Sequence, residues 1–296
     1  MELKIRKIGI TSIGDMGGQV AVRLKSCGYE IFTSLEGRSK RTVALSAKAG
    51  VTDCGSVEKL VATVDVIISV LDPAHAVTKA REVAAAIKAT GKKIIFVNGN
   101  AVAPRTALEI DGIIRAAGGA CIDGSILRVT TKQGKSELRL YVSGPEASVL
   151  TQINDEILKI RVVGEKIGNA SALKMCYGAF TKGALALGVE LLLASHKLGV
   201  ADELAAEFED TQPEVYKWIL GRTVGMAPKA YRYVPEMLEV ATTFEDAGMT
   251  RRMLEGAADM FEMLAKTPLA AETPEESKER GRTGKQIVQA LAAGKA

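Results

Sequence analysis

Short β-branched runs alternate with helix-length amphipathic stretches through the first half of the chain, and this alternation constrains the fold most. Strand patterns fall at residues 5–10, 30–33, 64–71, 93–97, 120–122, 138–143 and 161–163. Helical patterns at 17–27, 39–49, 73–90 and 105–117 lie between several of them. Strands joined by helices of this length form βαβ units and a mainly parallel sheet. The runs Asp65-Val66-Ile67-Ile68-Ser69-Val70-Leu71 and Ile94-Ile95-Phe96-Val97 are apolar on both faces, as central parallel strands require. After about residue 166 the strand patterns stop. One long helix is expected over 170–198, ended by Gly199, followed by helices at 201–209, 213–225, 229–247 and 251–266. Thr273-Pro274-Glu275-Glu276 joins an N-cap, a first-position proline and a third-position glutamate, and starts a last helix running towards Leu291. The expected layout is an α/β domain over 1–166 and an all-α domain over 167–296. At about 150 residues per domain, the chain length suits two.

Composition removes several classes of function. Lys and Arg outnumber Asp and Glu by 39 to 35, a scattered net charge of +4, and the chain has one Trp, six Tyr and six Phe. Neither a basic footprint nor a set of stacking rings is present, so no nucleic-acid partner is expected. Cys27, Cys54, Cys121 and Cys176 have no zinc-binding spacing, and no His/Asp/Glu cluster has one either, so no metal is expected. The cysteines read as buried, reduced thiols of a cytoplasmic protein. No signal-peptide block is expected, since charges alternate with aliphatics over residues 4–10. No apolar run is expected to cross a membrane, since Glu190 interrupts the one at 185–195.

The first strand leads into Thr11-Ser12-Ile13-Gly14-Asp15-Met16-Gly17-Gly18 and then a helix through Val20, Ala21, Leu24 and Cys27. This order approximates the dinucleotide fingerprint, with Ser12, Gly14 and Gly17 at its three glycine positions. Gly14 lets the backbone approach a pyrophosphate resting on the helix N-terminus, and Gly17 lets the helix lie close to the strand. Ser12, Gly14, Asp15 and Met16 are therefore expected cofactor contacts. The fold class is α/β: an N-terminal Rossmann-type doubly wound sheet followed by an all-α C-terminal domain. At the end of the second strand, Leu35 stands where an NAD-preferring site places a carboxylate for the ribose 2′-hydroxyl. Arg38, Ser39 and Arg41 follow with charge and a hydroxyl suited to a 2′-phosphate. NADP is the expected cofactor, with NADPH preferred over NADH.

These segments resemble the β-hydroxyacid dehydrogenases, which include 3-hydroxyisobutyrate and 6-phosphogluconate dehydrogenases. Ile8-Gly9-Ile10 with Gly14-Asp15-Met16-Gly17 is similar to the family's opening. Asp65-Val66-Ile67-Ile68-Ser69-Val70-Leu71-Asp72-Pro73 resembles its fourth strand and the loop along the cofactor riboses, which adds Leu71. Asn98-Gly99-Asn100-Ala101-Val102-Ala103-Pro104 resembles the loop beside the nicotinamide, which adds Asn100. Gly168-Asn169-Ala170-Ser171-Ala172-Leu173-Lys174 resembles the start of the interdomain helix carrying the family's catalytic lysine. Thr33-Ser34-Leu35-Glu36-Gly37-Arg38-Ser39 and Thr181-Lys182-Gly183 resemble a branch related to 6-phosphogluconate dehydrogenase.

Taken alone, Lys174 reads as a surface lysine on an amphipathic helix; the resemblance makes it the general acid/base. A lysine serves both directions when desolvation lowers its pKa towards neutrality. The chain departs from the family at three places. Gly178 replaces an asparagine four residues after the lysine, Asp123-Gly124-Ser125-Ile126-Leu127-Arg128 replaces a Ser-Gly-Gly loop, and a later helical lysine aligns near Pro235. Substrate anchoring is therefore expected from Ser125 and Arg128 of that loop, with Thr181, Lys182, Tyr231 and Arg232. The implied reaction moves a hydride between the nicotinamide and a small hydroxy acid or oxo acid. Imine reduction and a catalytically silent NADP-binding sensor are the alternatives. The long apolar helix at 170–198 implies a homodimer through the helical domain.

Overall fold

The computed structural model describes residues 4–294. Packing divides them into two units, one ending at Met175 and one beginning at Cys176. In the first, β1 (Lys7–Ile10), β2 (Glu30–Thr33), β3 (Thr52–Asp53), β4 (Val66–Ser69), β5 (Ile95–Asn98), β6 (Ala120–Thr130), β7 (Ser136–Ser143) and β8 (Leu158–Val162) form one sheet. Its order is β3-β2-β1-β4-β5-β6-β7-β8. The pairings are parallel apart from the antiparallel β6–β7 hairpin.

Helices α1 (Asp15–Ser26), α2 (Lys40–Ala49), α3 (Val57–Thr63), α4 (Ala76–Thr90) and α5 (Pro104–Ala116) connect the strands. One core joins Ile8, Ile10, Ile31, Val66, Ile68, Val97 and Ile122 to Val20, Ala21 and Leu24 of α1. The other joins Ile67, Phe96 and Cys121 to apolar residues of α3, α4 and α5. Apolar side chains are thus buried on both faces of the sheet, as a doubly wound fold requires. β1 lies between β2 and β4, so the strand order reverses there and opens a crevice at the strands' carboxyl ends.

Several expectations change. β3 and α3 had no counterpart in the sequence patterns; β3 is two exposed residues with no apolar alternation. The expected loop at 123–128 is strand. β6 continues to Thr130 because each of these residues pairs across to β7, from Asp123 with Ser143 to Arg128 with Leu138. Of the four free thiols only Cys121 is buried, while Cys27 and Cys176 are exposed. The last helix is two, α12 (Pro274–Glu279) and α13 (Gly284–Ala292), because Thr283 and Gln286 form a second capping box.

The helix α6 (Asn169–Gly178) continues through a π-helical turn (Ala179–Gly183) into α7 (Ala184–Leu198). Asn169–Leu198 is long and apolar enough to cross a membrane by length and composition, contrary to the sequence expectation. The small residues around the leucine-rich stretch also count as apolar and lengthen the run. In the second unit α7 buries Leu185, Val189, Leu192 and Leu193, and packs against α9 (Pro213–Thr223), α11 (Arg252–Ala265) and α13. α8 (Ala201–Thr211) packs on α7 and α9, and α10 (Ala227–Asp246) on α11, where Tyr233 and Phe261 meet edge to face at 5.1 Å.

Candidate active site

The turn after β1 is built around two glycines with different reasons. A Cβ on Gly17 would lie 2.0 Å from the Ser12 carbonyl oxygen, so only glycine lets α1 start this close to the strand. A Cβ on Gly14 would meet nothing within 4 Å. No side chain caps α1 at Gly14, in contrast to α2 and α3, which Ser39 and Ser56 cap. An uncapped helix N-terminus with open space over its first glycine fits an anionic pyrophosphate. Asp15 and Met16 are the first helical residues, and both are partly buried.

Two clefts adjoin this turn. One, of 400 Å³, is lined by Ser12, Arg38, Leu71, Asp72, His75, Thr78, Lys79 and Glu82. The other, of 740 Å³, shares Arg38, Lys79 and Glu82 and adds Thr11, Ser34, Glu36 and the apolar Val57, Leu60 and Val83. Arg38 donates to the Thr11 carbonyl at 2.9 Å, which fixes its guanidinium between the two clefts. Arg41 pairs with Asp15 at 2.7 Å, tying α2 to the start of α1. The Ser39 hydroxyl accepts from the Thr42 amide as the cap of α2. Leu35 donates its amide to Asp53 at 3.0 Å, and Gly55 donates to the same oxygen at 2.8 Å. The carboxylate in this corner is thereby held by backbone. The set fits an adenine dinucleotide.

A buried polar chain supports the floor at the strand ends. The Thr11 hydroxyl accepts from the Val70 amide, and the Asn100 amide group donates to Ser69 Oγ and Asn98 Oδ1. Asn100 Oδ1 accepts from the Leu71 amide at 2.8 Å, joining two of the expected residues. Asn98 Nδ2 and Ser125 Oγ, both buried, have no hydrogen-bond partner among the described residues. Arg128 is exposed near the end of β6 and lies 3.5 Å from Gln19 of α1.

Lys174 is half-buried on α6 and donates from Nζ to the Ile126 carbonyl of β6 at 3.2 Å. Three residues before Ile126, in the same strand, lies a group that sequence reasoning missed. Asp123 is fully buried, and its carboxylate accepts from the Ser171 hydroxyl at 2.6 Å, the Ser171 and Gly168 amides at 3.0 Å each, and the Ser143 hydroxyl at 3.1 Å. Burial pushes this carboxyl above its ordinary value, against the pull of its donors. The available signal was an acid inside the apolar run Cys121-Ile122-Asp123, since a buried charge must find partners.

The other expected substrate contacts lie in the second unit. Thr181 and Lys182 fall in the π-helical turn, a distortion often found at functional sites. The Thr181 hydroxyl donates back to the Tyr177 carbonyl at 3.1 Å. Lys182 pairs with Glu236 at 2.6 Å and sits over the Tyr233 ring at 5.3 Å. Tyr231 is exposed, with the Arg232 guanidinium 5.9 Å from its ring. Among the described residues no group of three or more His, Cys, Asp or Glu could hold a metal ion.

Residues 7–160 match the family described as the NAD binding domain of 6-phosphogluconate dehydrogenase. Residues 195–264 match a domain of unknown function, DUF1932. An uncharacterised 28.5 kDa protein of Methanothermus fervidus is 27% identical over 260 residues, covering 87% of this chain and 98% of its own. A solved conserved protein, described as structurally similar to 3-hydroxyacid dehydrogenases, is 28% identical with a TM-score of 0.63, over 93% of this chain and 99% of its own. A 3-hydroxyisobutyrate dehydrogenase of Salmonella typhimurium shares the fold at 16% identity and a TM-score of 0.65, over 93% of this chain and 99% of its own.

Proposed function

The chain belongs to the 6-phosphogluconate dehydrogenase NAD-binding family, among the β-hydroxyacid dehydrogenase-like NAD(P)-dependent oxidoreductases, and from this we propose an NADP-dependent enzyme that interconverts a small hydroxy acid and its oxo acid with Lys174 as general acid/base. A bound nicotinamide supplies or takes up the hydride. The chain's own residues must hold the cofactor and move one proton. Lys174 gives that proton to the carbonyl oxygen in reduction and removes it from the hydroxyl in oxidation. The observation that carries this role is the hydrogen bond by which Nζ of this half-buried lysine donates to the Ile126 carbonyl.

NADP preference rests on Arg38 and Arg41 near the turn, with Leu35 in place of an acid and the Asp53 carboxylate already engaged by two amides. Ser12, Gly14, Asp15, Met16, Ser39, Leu71 and Asn100 complete the proposed cofactor contacts. Ser125, Arg128, Thr181, Lys182, Tyr231 and Arg232 are the proposed substrate contacts. A cytoplasmic homodimer through the helical unit is the proposed working form. The test is NADPH consumption over a panel of small oxo acids, each with and without an added amine. Turnover of an oxo acid alone is expected. Turnover only with amine present would make the enzyme an imine reductase, and NADPH binding without any turnover would make the protein a sensor.

A further inference from the structure

We propose that Asp123 is a positioning residue that sets Lys174 in place by clamping the first turn of α6 to the sheet; this rests on the reading of Lys174 as the proton carrier. A carboxylate in the buried stretch of a strand, here residues 121–126 of β6, loses its hydration, and it is tolerated only where donors replace the water. Three residues supply four donors here, and two of those donors are the backbone amides of Gly168 and Ser171. The opening amides of a helix lack partners within it, and a negative charge there also faces the positive end of the helix dipole. Asp123 therefore does for α6 what a capping side chain does for α2, but from a neighbouring strand.

Ser143 doubles the clamp. It is the register partner of Asp123 across the β6–β7 pair, donates to that carboxylate, and accepts from the Ala170 amide at 3.0 Å. Gly168, Ala170 and Ser171 are thus all held by two adjacent strands. Three residues beyond Ser171 the helix carries Lys174, on the same face. Three residues beyond Asp123 the strand carries Ile126, whose carbonyl accepts from Lys174 Nζ. Helix and strand are joined at two points, and the second is the reacting group. Fraying of the first turn would release the second contact, and an error of about 1 Å in a general acid can cost on the order of 100-fold in rate.

The test is competitive acetylation of the full-length protein at fixed pH, with the labelling of each lysine read by mass spectrometry. Lys266, which is exposed, is the reference, and Lys92 is the control. Lys92 also donates to backbone carbonyls, those of Ala62 and Val64 at 3.0 and 2.7 Å, but these lie at the end of α3 and not on α6. Asp123→Asn keeps the shape and turns an acceptor oxygen into an NH₂ group facing donors. Ser171→Ala removes one hydroxyl and keeps the charge, so it answers the question if Asp123→Asn does not fold. In both variants Lys174 labelling is expected to rise about threefold or more against Lys266, with Lys92 unchanged, as local opening rather than global unfolding dictates. Unchanged Lys174 labelling in a folded variant, or an equal rise at Lys92, would overturn the proposal. The outcome is separable from the catalytic reading. If Lys174→Ala keeps full turnover the lysine is not the proton carrier, yet the clamp is still read directly by the labelling.

Discussion

Arg38 is placed by a backbone carbonyl, so its charge is available to a ligand at the crevice without any rearrangement of the loop. Replacing Arg38 with alanine is expected to weaken NADPH binding about 10- to 100-fold in a fluorescence titration, the range for one charge-assisted hydrogen bond. NADH binding, which has no 2′-phosphate to lose, should stay within about twofold of wild type. Equal losses for both cofactors would assign Arg38 to the turn rather than to the phosphate. Residues of this kind were legible because the fingerprint is local: Ser12, Gly14 and Gly17 sit within one turn of each other, and Arg38 follows the next strand. Asp123 was not legible, since its meaning depends on Ser143, Gly168 and Ser171, which lie 20 to 48 residues further on.

Between β1 and α1 the two glycines separate folding from binding. Gly14→Ala enters open space and is expected to leave the melting temperature nearly unchanged while lowering NADPH affinity about tenfold or more, because a methyl group would stand where the pyrophosphate approaches. Gly17→Ala forces a methyl onto the Ser12 carbonyl and should cost about 3 kcal/mol or more in stability. A second link holds α1 to the segment before β8. Asp155 accepts from Arg23 Nε and Cys27 Sγ at 2.7 and 2.8 Å, and from the Ile157 and Leu158 amides. Burial alone would raise its carboxyl; these donors prevail and hold it well below the usual carboxylate range. A depressed folded pKa means the contribution is present in full above the unfolded value and is lost as pH falls towards the folded one. Asp155→Asn should therefore lower stability by about 1–3 kcal/mol at pH 7, and its deficit against wild type in urea melts should shrink below about pH 4. A deficit independent of pH would contradict the assignment. Buried apolar strands such as β4 and β5 were readable from pattern, whereas β3 is two exposed residues and α3 only two turns.

For the molecule as a whole, the sequence carried the order of an α/β sheet followed by helices, because each buried strand and helix must show its period. The extension of β6 escaped it, since pairing with β7 rather than side-chain pattern keeps Asp123–Arg128 extended. The surface of the second unit bears on assembly. Phe180 is 70% exposed and Leu187 60% exposed on the long helix, two apolar side chains seven residues apart that a partner helix could cover. Light scattering at micromolar concentration is expected to give a dimer, and Phe180→Glu combined with Leu187→Glu a monomer; a monomeric wild type would refute this interface. The most direct measurement is turnover of Lys174→Ala at saturating NADPH, beside its NADPH dissociation constant. Turnover is expected to fall about 10²- to 10⁴-fold, the share of a general acid/base, with the dissociation constant within about twofold of wild type. Near-normal turnover with cofactor bound would contradict the role given to Lys174.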